Sequence, residues 1–335
     1  MANGFDVPID HCHSGSAMLR EAWIGLAMFI AVVSHGQTPE TMPGGKVVSV
    51  PALVESKSGQ IAYGLSAPDF SVKDDGIEQR VELVDGLSPA PLSLFLLIQT
   101  GQTAAAQLAK IAQLDELLDS IVTSPNDEVG IITFDSRPRV VQDLTSDPDK
   151  TSSALAGISP GNAGSSIFDA LHLAIASLRN APRQSRRVII LISGEHDRGS
   201  YASDSGSLVR AISSVDASIY SLSFSSGKME LLNRLGSINP LAMTASAVHK
   251  NAPQALAQLT GGDFYRFDSE KAFEEHVSEI ANHIHNRYSL AFHPSDPQPG
   301  FHSLQVEVRH AKVNVVSARS GYWLSAASDD GGESQ

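Results

Sequence analysis

Ser193, Glu195, His196 and Asp197 stand almost side by side and offer a nucleophile, a base and an orienting carboxylate. A hydrolase needs those three groups aimed at one point, and neighbouring side chains diverge, so a working relay is normally assembled from separate segments. The chain also lacks a G-x-S-x-G elbow. Enzymatic activity is therefore not expected, and a hydrolase is kept only as a remote alternative. His276, His283 and His285 lie in one helical stretch, but positions two apart point away from each other on a helix and no H-E-x-x-H pairing is present. They read as surface or capping histidines. His11, Cys12 and His13 lack a fourth ligand nearby. Gly44-Gly45 and Gly261-Gly262 have neither a P-loop lysine nor a full G-x-G-x-x-G run, so they read as turn glycines.

Composition narrows the field further. Of 335 residues 42% are apolar, enough for a sizeable core, and the formal charge is -13 with no dense basic cluster beyond Arg183, Arg186 and Arg187. Such a surface repels a phosphate backbone, so no nucleic-acid partner is expected. Cys12 is the only cysteine, which excludes disulfide and cysteine-nucleophile chemistry if the leader is removed. That leader is read over residues 1–36: AWIGLAMFIAVV (22–33) is uncharged and has the length of a signal h-region, with Ser34 and Gly36 suiting cleavage. It is shorter than the roughly 20 residues of a spanning helix, so no integral span is expected after leader removal. Met18 offers a second possible start. The expected location is the periplasm or the exterior, with envelope association left open.

The elements that would position any site follow from periodicity. Residues 37–45 (QTPETMPGG) read as a linker and 46–88 as an N-terminal β unit with strands over 47–54, 60–63 and 81–84 and an alternating stretch ending at Asp74-Asp75-Gly76. LSLFLLI from Leu92 and RVIILI from Arg187 are continuous apolar runs, as central parallel strands covered on both faces require. Amphipathic helices are expected over 104–121, 167–178, 208–215, 252–259 and 269–286. Strands alternating with helices predict an α/β fold with a doubly wound, mostly parallel sheet over 90–287. Strands over 288–324 would complete the first β unit as one accessory domain, and 325–335 would be a disordered tail. Open sheets bind ligands beyond the carboxyl ends of their strands, which directs attention to the loops at 99–103, 161–166 and 193–200.

Those loops carry a pattern. Leu65-Ser66-Ala67-Pro68-Asp69-Phe70 with Asp74-Asp75-Gly76, then Gly164-Ser165-Ser166-Ile167-Phe168-Asp169-Ala170-Leu171, Thr260-Gly261-Gly262 and Tyr288-Ser289-Leu290 follow one another in order. In this the chain resembles the von Willebrand factor type A fold, and more closely exported bacterial VWFA-related proteins, over roughly 47–323. The resemblance implies a protein-binding or scaffold module and an adhesion site that holds magnesium through an Asp-x-Ser-x-Ser loop, a Thr and a second Asp. The matching positions here are Gln99, Gly101 and Thr103, then Ser165, then Gly194. Both carboxylates are missing. Magnesium sheds water reluctantly and is normally held by one or two carboxylates, so no cofactor is expected. Glu195 and Asp197 lie close enough in sequence to rebuild a site, which would make the protein a metal-dependent adhesin; solvated loop acids are the plainer reading. The partner implied is another protein.

Overall fold

The computed structural model describes residues 46–84, 90–101, 104, 107–111, 113–182, 184–201, 204–224, 251–310 and 312–325. The leader, the linker, Thr103 and residues 326–335 of the tail lie outside them. The described residues begin with strands β1 (Val48–Ser56), β2 (Phe70–Asp74), β3 (Ile77–Gln79), β4 (Val81–Leu83) and β5 (Leu92–Gln99). Helix α1 (Leu114–Leu118), β6 (Glu128–Phe134), β7 (Pro138–Thr145), α2 (Pro148–Ala156), α3 (Ile167–Leu178) and β8 (Arg186–Ser193) come next. They are followed by α4 (Ser205–Val215), β9 (Ala217–Phe224), α5 (Ala252–Thr260), β10 (Phe264–Phe267) and α6 (Glu270–His285). The last strands are β11 (Tyr288–Phe292), β12 (Gly300–Val308), β13 (Val313–Ala318) and β14 (Gly321–Leu324).

A six-stranded sheet in the order β10-β9-β8-β5-β6-β7 forms the centre, parallel throughout except for β7, which pairs antiparallel with β6. Every residue of β5 is buried, which explains why its sequence does not alternate: helices cover both faces. Leu92, Leu94, Leu96 and Ile98 share one core with Phe273, Val277, Ile280 and Ile284 of α6. Phe95 and Leu97 point the other way, into a core with α3, α4 and α5. The stretch expected as one helix over 104–121 differs. It shows a 3-10 turn at Ala109–Ile111 and then the short α1, although Ile111, Leu114, Leu118 and Ile121 still bury one face. The burial pattern survives because packing on the sheet fixes it, whereas local hydrogen bonding sets the helix type.

The first and last strands of the described residues meet in a separate pair of four-stranded sheets, β13-β1-β11-β4 and β14-β12-β2-β3. Both sheets feed one core that includes Val50, Val54, Phe70, Val72, Leu290, Phe292 and Tyr322, so the unit is a small sandwich. Two polar latches fasten it to the α/β part. Arg319 is buried and pairs with Asp216 just after α4, while it also donates to the Ser49 carbonyl oxygen of β1. Arg287 donates to Asp263 at 2.8 Å, to the Gly261 carbonyl oxygen and to Ser317 of β13 at 2.6 Å. His283 completes this second latch, with Nδ1 at 2.9 Å from Asp263 and Nε2 at 3.7 Å from Glu55 of β1. Its assignment as a surface or capping histidine is thereby corrected: it is buried, because α6 turns it inward against the β10 edge. His285 does face outward, to the Ser120 carbonyl oxygen, and His276 stacks on Tyr265.

Thr260-Gly261-Gly262 turns out to be packing chemistry. The Thr260 hydroxyl accepts from the Ile219 backbone N–H at 2.9 Å. A Cβ at Gly262 would meet the Ile219 carbonyl oxygen at 1.9 Å, so only glycine lets this turn lie against β9. Gly262→Ala is expected to lose stability by at least the ~1–3 kcal/mol typical of overpacking, read as a lower denaturation midpoint at constant m-value. Arg287→Met should cost more, about 3–5 kcal/mol, because it strands the Asp263 carboxylate in a buried place. The same measurement, repeated on Arg287→Met with Asp263→Asn added, should recover part of that loss.

Candidate functional site

The carboxyl ends of β5, β6 and β8 converge on one rim, and Gln99 sits at its centre. As the last residue of a fully buried strand its side chain is 3% exposed. Its Oε1 accepts two hydrogen bonds, one from the Ser165 hydroxyl at 3.1 Å and one from the Gly194 backbone N–H at 2.9 Å. Three of the positions singled out in the sequence, Gln99, Ser165 and Gly194, are thus joined through one neutral oxygen. A backbone clip adds to this, since Ser165 and Arg198 exchange N–H to carbonyl bonds at 3.0 and 2.8 Å. The fourth position, Gly101, is buried, and a Cβ there would lie 2.4 Å from the Gly164 carbonyl oxygen. A serine at this place would collide with the loop before α3. Thr103 falls outside the described residues.

The neighbouring acids are committed elsewhere. Glu195 pairs with Arg266 of β10. Asp197 accepts from the Phe168 backbone N–H at 3.1 Å in the first turn of α3 and from the Ser200 hydroxyl at 2.6 Å, a favourable place for a negative charge at a helix N-terminus. Ser193 is buried and donates to the Gly194 carbonyl oxygen, while His196 is exposed. Three of the residues that could be written as a relay are therefore turned to separate partners, and the fourth, His196, faces solvent. The donor set does not fit magnesium, which asks for carboxylate oxygens directed at one point. Here the one central oxygen is neutral and already accepts two hydrogen bonds.

One residue that builds the rim carries no motif in the sequence. Asp135 follows the buried strand β6, is 2% exposed, and accepts from the Asn162 backbone N–H at 2.9 Å, the Arg137 backbone N–H at 3.0 Å and the Arg139 guanidinium at 2.8 Å. Its carbonyl oxygen takes the Ser166 N–H at 2.8 Å. It therefore fixes both ends of the 161–166 loop that presents Ser165. The available signal was its place immediately after a parallel strand, the same rule that drew attention to Gln99. Burial pushes the Asp135 carboxyl upward, but the hydrogen bonds from Asn162 and Arg137 and the charge of Arg139 outweigh it and hold it below the usual range. Beside it opens a cleft of about 450 Å³ lined by Thr100, Thr133, Arg139, Val140, Val141 and residues 157–162.

A carboxyl whose acidity is increased by folding stabilises the native state above its unfolded pKa, and the benefit fades as pH drops through the lower folded value. Wild-type protein should therefore lose stability below about pH 4. Asp135→Asn should be about 1–3 kcal/mol less stable at neutral pH, since it removes an acceptor from buried N–H groups, and its urea midpoint should depend less steeply on pH in the acid range.

Residues 98–196 match the family model described as von Willebrand factor type A domain. No curated protein matches the chain. Among solved structures it is similar to the conserved hypothetical protein BatB from Bacteroides thetaiotaomicron, at 18% identity and a TM-score of 0.44 over 58% of this chain and 98% of that one. It is also similar to the vWF domain of the type V pili tip protein Mfa5 from Porphyromonas gingivalis, at 10% identity and a TM-score of 0.44 over 59% and 96%. A von Willebrand factor type A structure from Catenulispora acidiphila gives 9% identity and a TM-score of 0.46 over 80% and 76%. The family match starts at the end of β5, passes through Ser165 and ends beyond β8, so it takes in the segments that build the rim, and over 98–196 the chain is similar to von Willebrand factor type A domains.

Proposed function

We propose that this is an exported, non-enzymatic protein-binding module whose adhesion rim works without a cation. One observation carries the reading. The Gln99 carboxamide oxygen occupies the meeting point of β5, β8 and the Ser165 loop and satisfies donors from both. A cation there would have to displace two hydrogen bonds and gain no formal negative charge in return. With the ion's place taken by an amide, the partner would be recognised by the rim's own polar groups and by the cleft beside Asp135, where Val140 and Val141 are exposed on the edge strand β7. Protein interfaces of this kind combine an apolar patch with a polar border.

The export part of the proposal rests on the leader-like segment 22–33. Among the described residues no helix is long and apolar enough to cross a membrane. A metal-dependent adhesin would need Glu195 to leave Arg266, or Asp197 to leave the first turn of α3. A hydrolase would need Ser193 and His196 to meet. Neither alternative has an observation in its favour.

Because a ligand that binds only the folded state raises stability by mass action, about 2.7 kcal/mol at a hundredfold excess over Kd, thermal melting reports on the rim directly. Millimolar magnesium should leave the wild-type melting temperature unchanged. Gln99→Asp combined with Gly194→Asp should introduce a magnesium-dependent rise, since a Cβ at Gly194 meets nothing closer than 3.5 Å. A rise in wild-type protein that is abolished by Ser165→Ala would refute the cation-free reading.

A further inference from the structure

The motif Asp74-Asp75-Gly76 plays no part in the rim, yet it builds the most convergent set of ligand atoms among the described residues. Asp75 and Gly76 form a two-residue hairpin between β2 and β3, with positive φ at both, 47° and 85°. This is the type I′ conformation that Asp-Gly favours, and it turns Asp75 toward β12. His302 lies on that strand, paired with Tyr322 of β14, and Leu304 pairs with Asp74. One ligand atom each from Asp74, Asp75 and His302 lie within 4.8 Å of one another. His302 Nδ1 is 3.3 Å from Asp74 Oδ1 and 3.0 Å from Asp75 Oδ2.

The remaining polar atom of each side chain is held from behind. Tyr322 donates its hydroxyl to Asp74 Oδ2 at 2.7 Å. Ser303 donates its N–H and hydroxyl to Asp75 Oδ1 at 2.8 and 2.9 Å. His302 Nε2 lies 2.7 Å from the Gln298 carbonyl oxygen, which fixes the proton on Nε2. His302 also stacks on the Tyr322 ring, centroids 5.0 Å apart. An imidazole that donates one N–H to a backbone carbonyl and offers its other nitrogen beside carboxylates is the arrangement that orients metal-binding histidines. Asp74 Oδ1 is buried, in a residue only 4% exposed, and its one polar neighbour across the cluster is His302 Nδ1 at 3.3 Å, which has no hydrogen to give when the imidazole proton is on Nε2. An orphaned carboxylate oxygen at that depth is costly unless a positive charge meets it.

We propose that Asp74, Asp75 and His302 bind a divalent transition-metal ion of the zinc class. Ligand atoms about 2.0–2.2 Å from such an ion, at tetrahedral or octahedral angles, stand roughly 2.8–3.5 Å apart, and the two separations seen fall inside that interval. Two carboxylates and a neutral imidazole balance the ion's charge. Asp75 is half exposed while Asp74 and His302 are nearly covered, so the ion enters from the Asp75 side and water completes its shell. The site is independent of the rim, and its failure would leave the reading of Gln99 untouched.

The test is calorimetric titration of the full chain with zinc, beside Asp75→Asn and His302→Ala. Wild-type protein should bind one equivalent more than either variant, which allows for other histidines that take up metal. Cobalt should give visible absorption in wild type that Asp75→Asn lacks. Asn adopts positive φ as readily as Asp, so Asp75→Asn keeps the hairpin and decides the matter even where the buried His302→Ala does not fold. Equal stoichiometry in wild type and Asp75→Asn overturns the proposal, as does the absence of any zinc binding to wild type.

Discussion

The rim depends on a single amide. Gln99 ends a strand with no exposed residue, so its side chain has no water to turn to and must find partners inside the protein. It finds them in Ser165 and Gly194, and through them the ends of β5 and β8 and the loop before α3 are drawn together. Where an ion would join these segments by charge, here they are joined by hydrogen bonds of ordinary length. The difference is one of reversibility: an ion can be exchanged, whereas a side chain is always present. If the rim is the partner surface proposed above, this support preorganises it, which reduces the ordering cost of binding.

The same economy governs the rest of the molecule. The 161–166 loop has little apolar content to bury, and Asp135 holds it by accepting from Asn162 and, through its carbonyl oxygen, from Ser166. The sandwich made by the chain's two ends is small, and small cores are marginal by themselves. Its attachment to the α/β part through Arg319 and through the Asp263, His283 and Arg287 cluster ties the two cores together. Buried ion pairs of this type contribute specificity of docking more than net stability, while losing one member is expensive.

Helical and strand periodicity made the architecture legible. LSLFLLI and RVIILI can only be central strands with cover on both faces, and that is where β5 and β8 lie. Strands from opposite ends of the chain do pair, β1 with β11 and β2 with β12. The long helix over 104–121 was misjudged in form because apolar spacing reports which residues face the core, not the hydrogen-bond pattern between them. Of the rim, the loops could be named because ligand loops follow parallel strands, and Gln99, Ser165 and Gly194 within them came from the family resemblance. Asp135 obeys the same rule, but a lone acid after a strand carries no motif to draw attention to it. His283 could not be placed, since nothing in its local spacing tells which side of α6 meets Asp263.

By itself the sequence determined the fold class, the order of the elements and the absence of carboxylates at positions 99, 101 and 194, because these follow from short-range periodicity and residue type. Only the tertiary structure decided what fills the space those carboxylates left, that Glu195 and Asp197 serve Arg266 and α3, and that Asp74, Asp75 and His302 converge. Each of these is a contact between segments far apart along the chain, and side-chain direction at long range is fixed by packing, which a linear pattern does not encode.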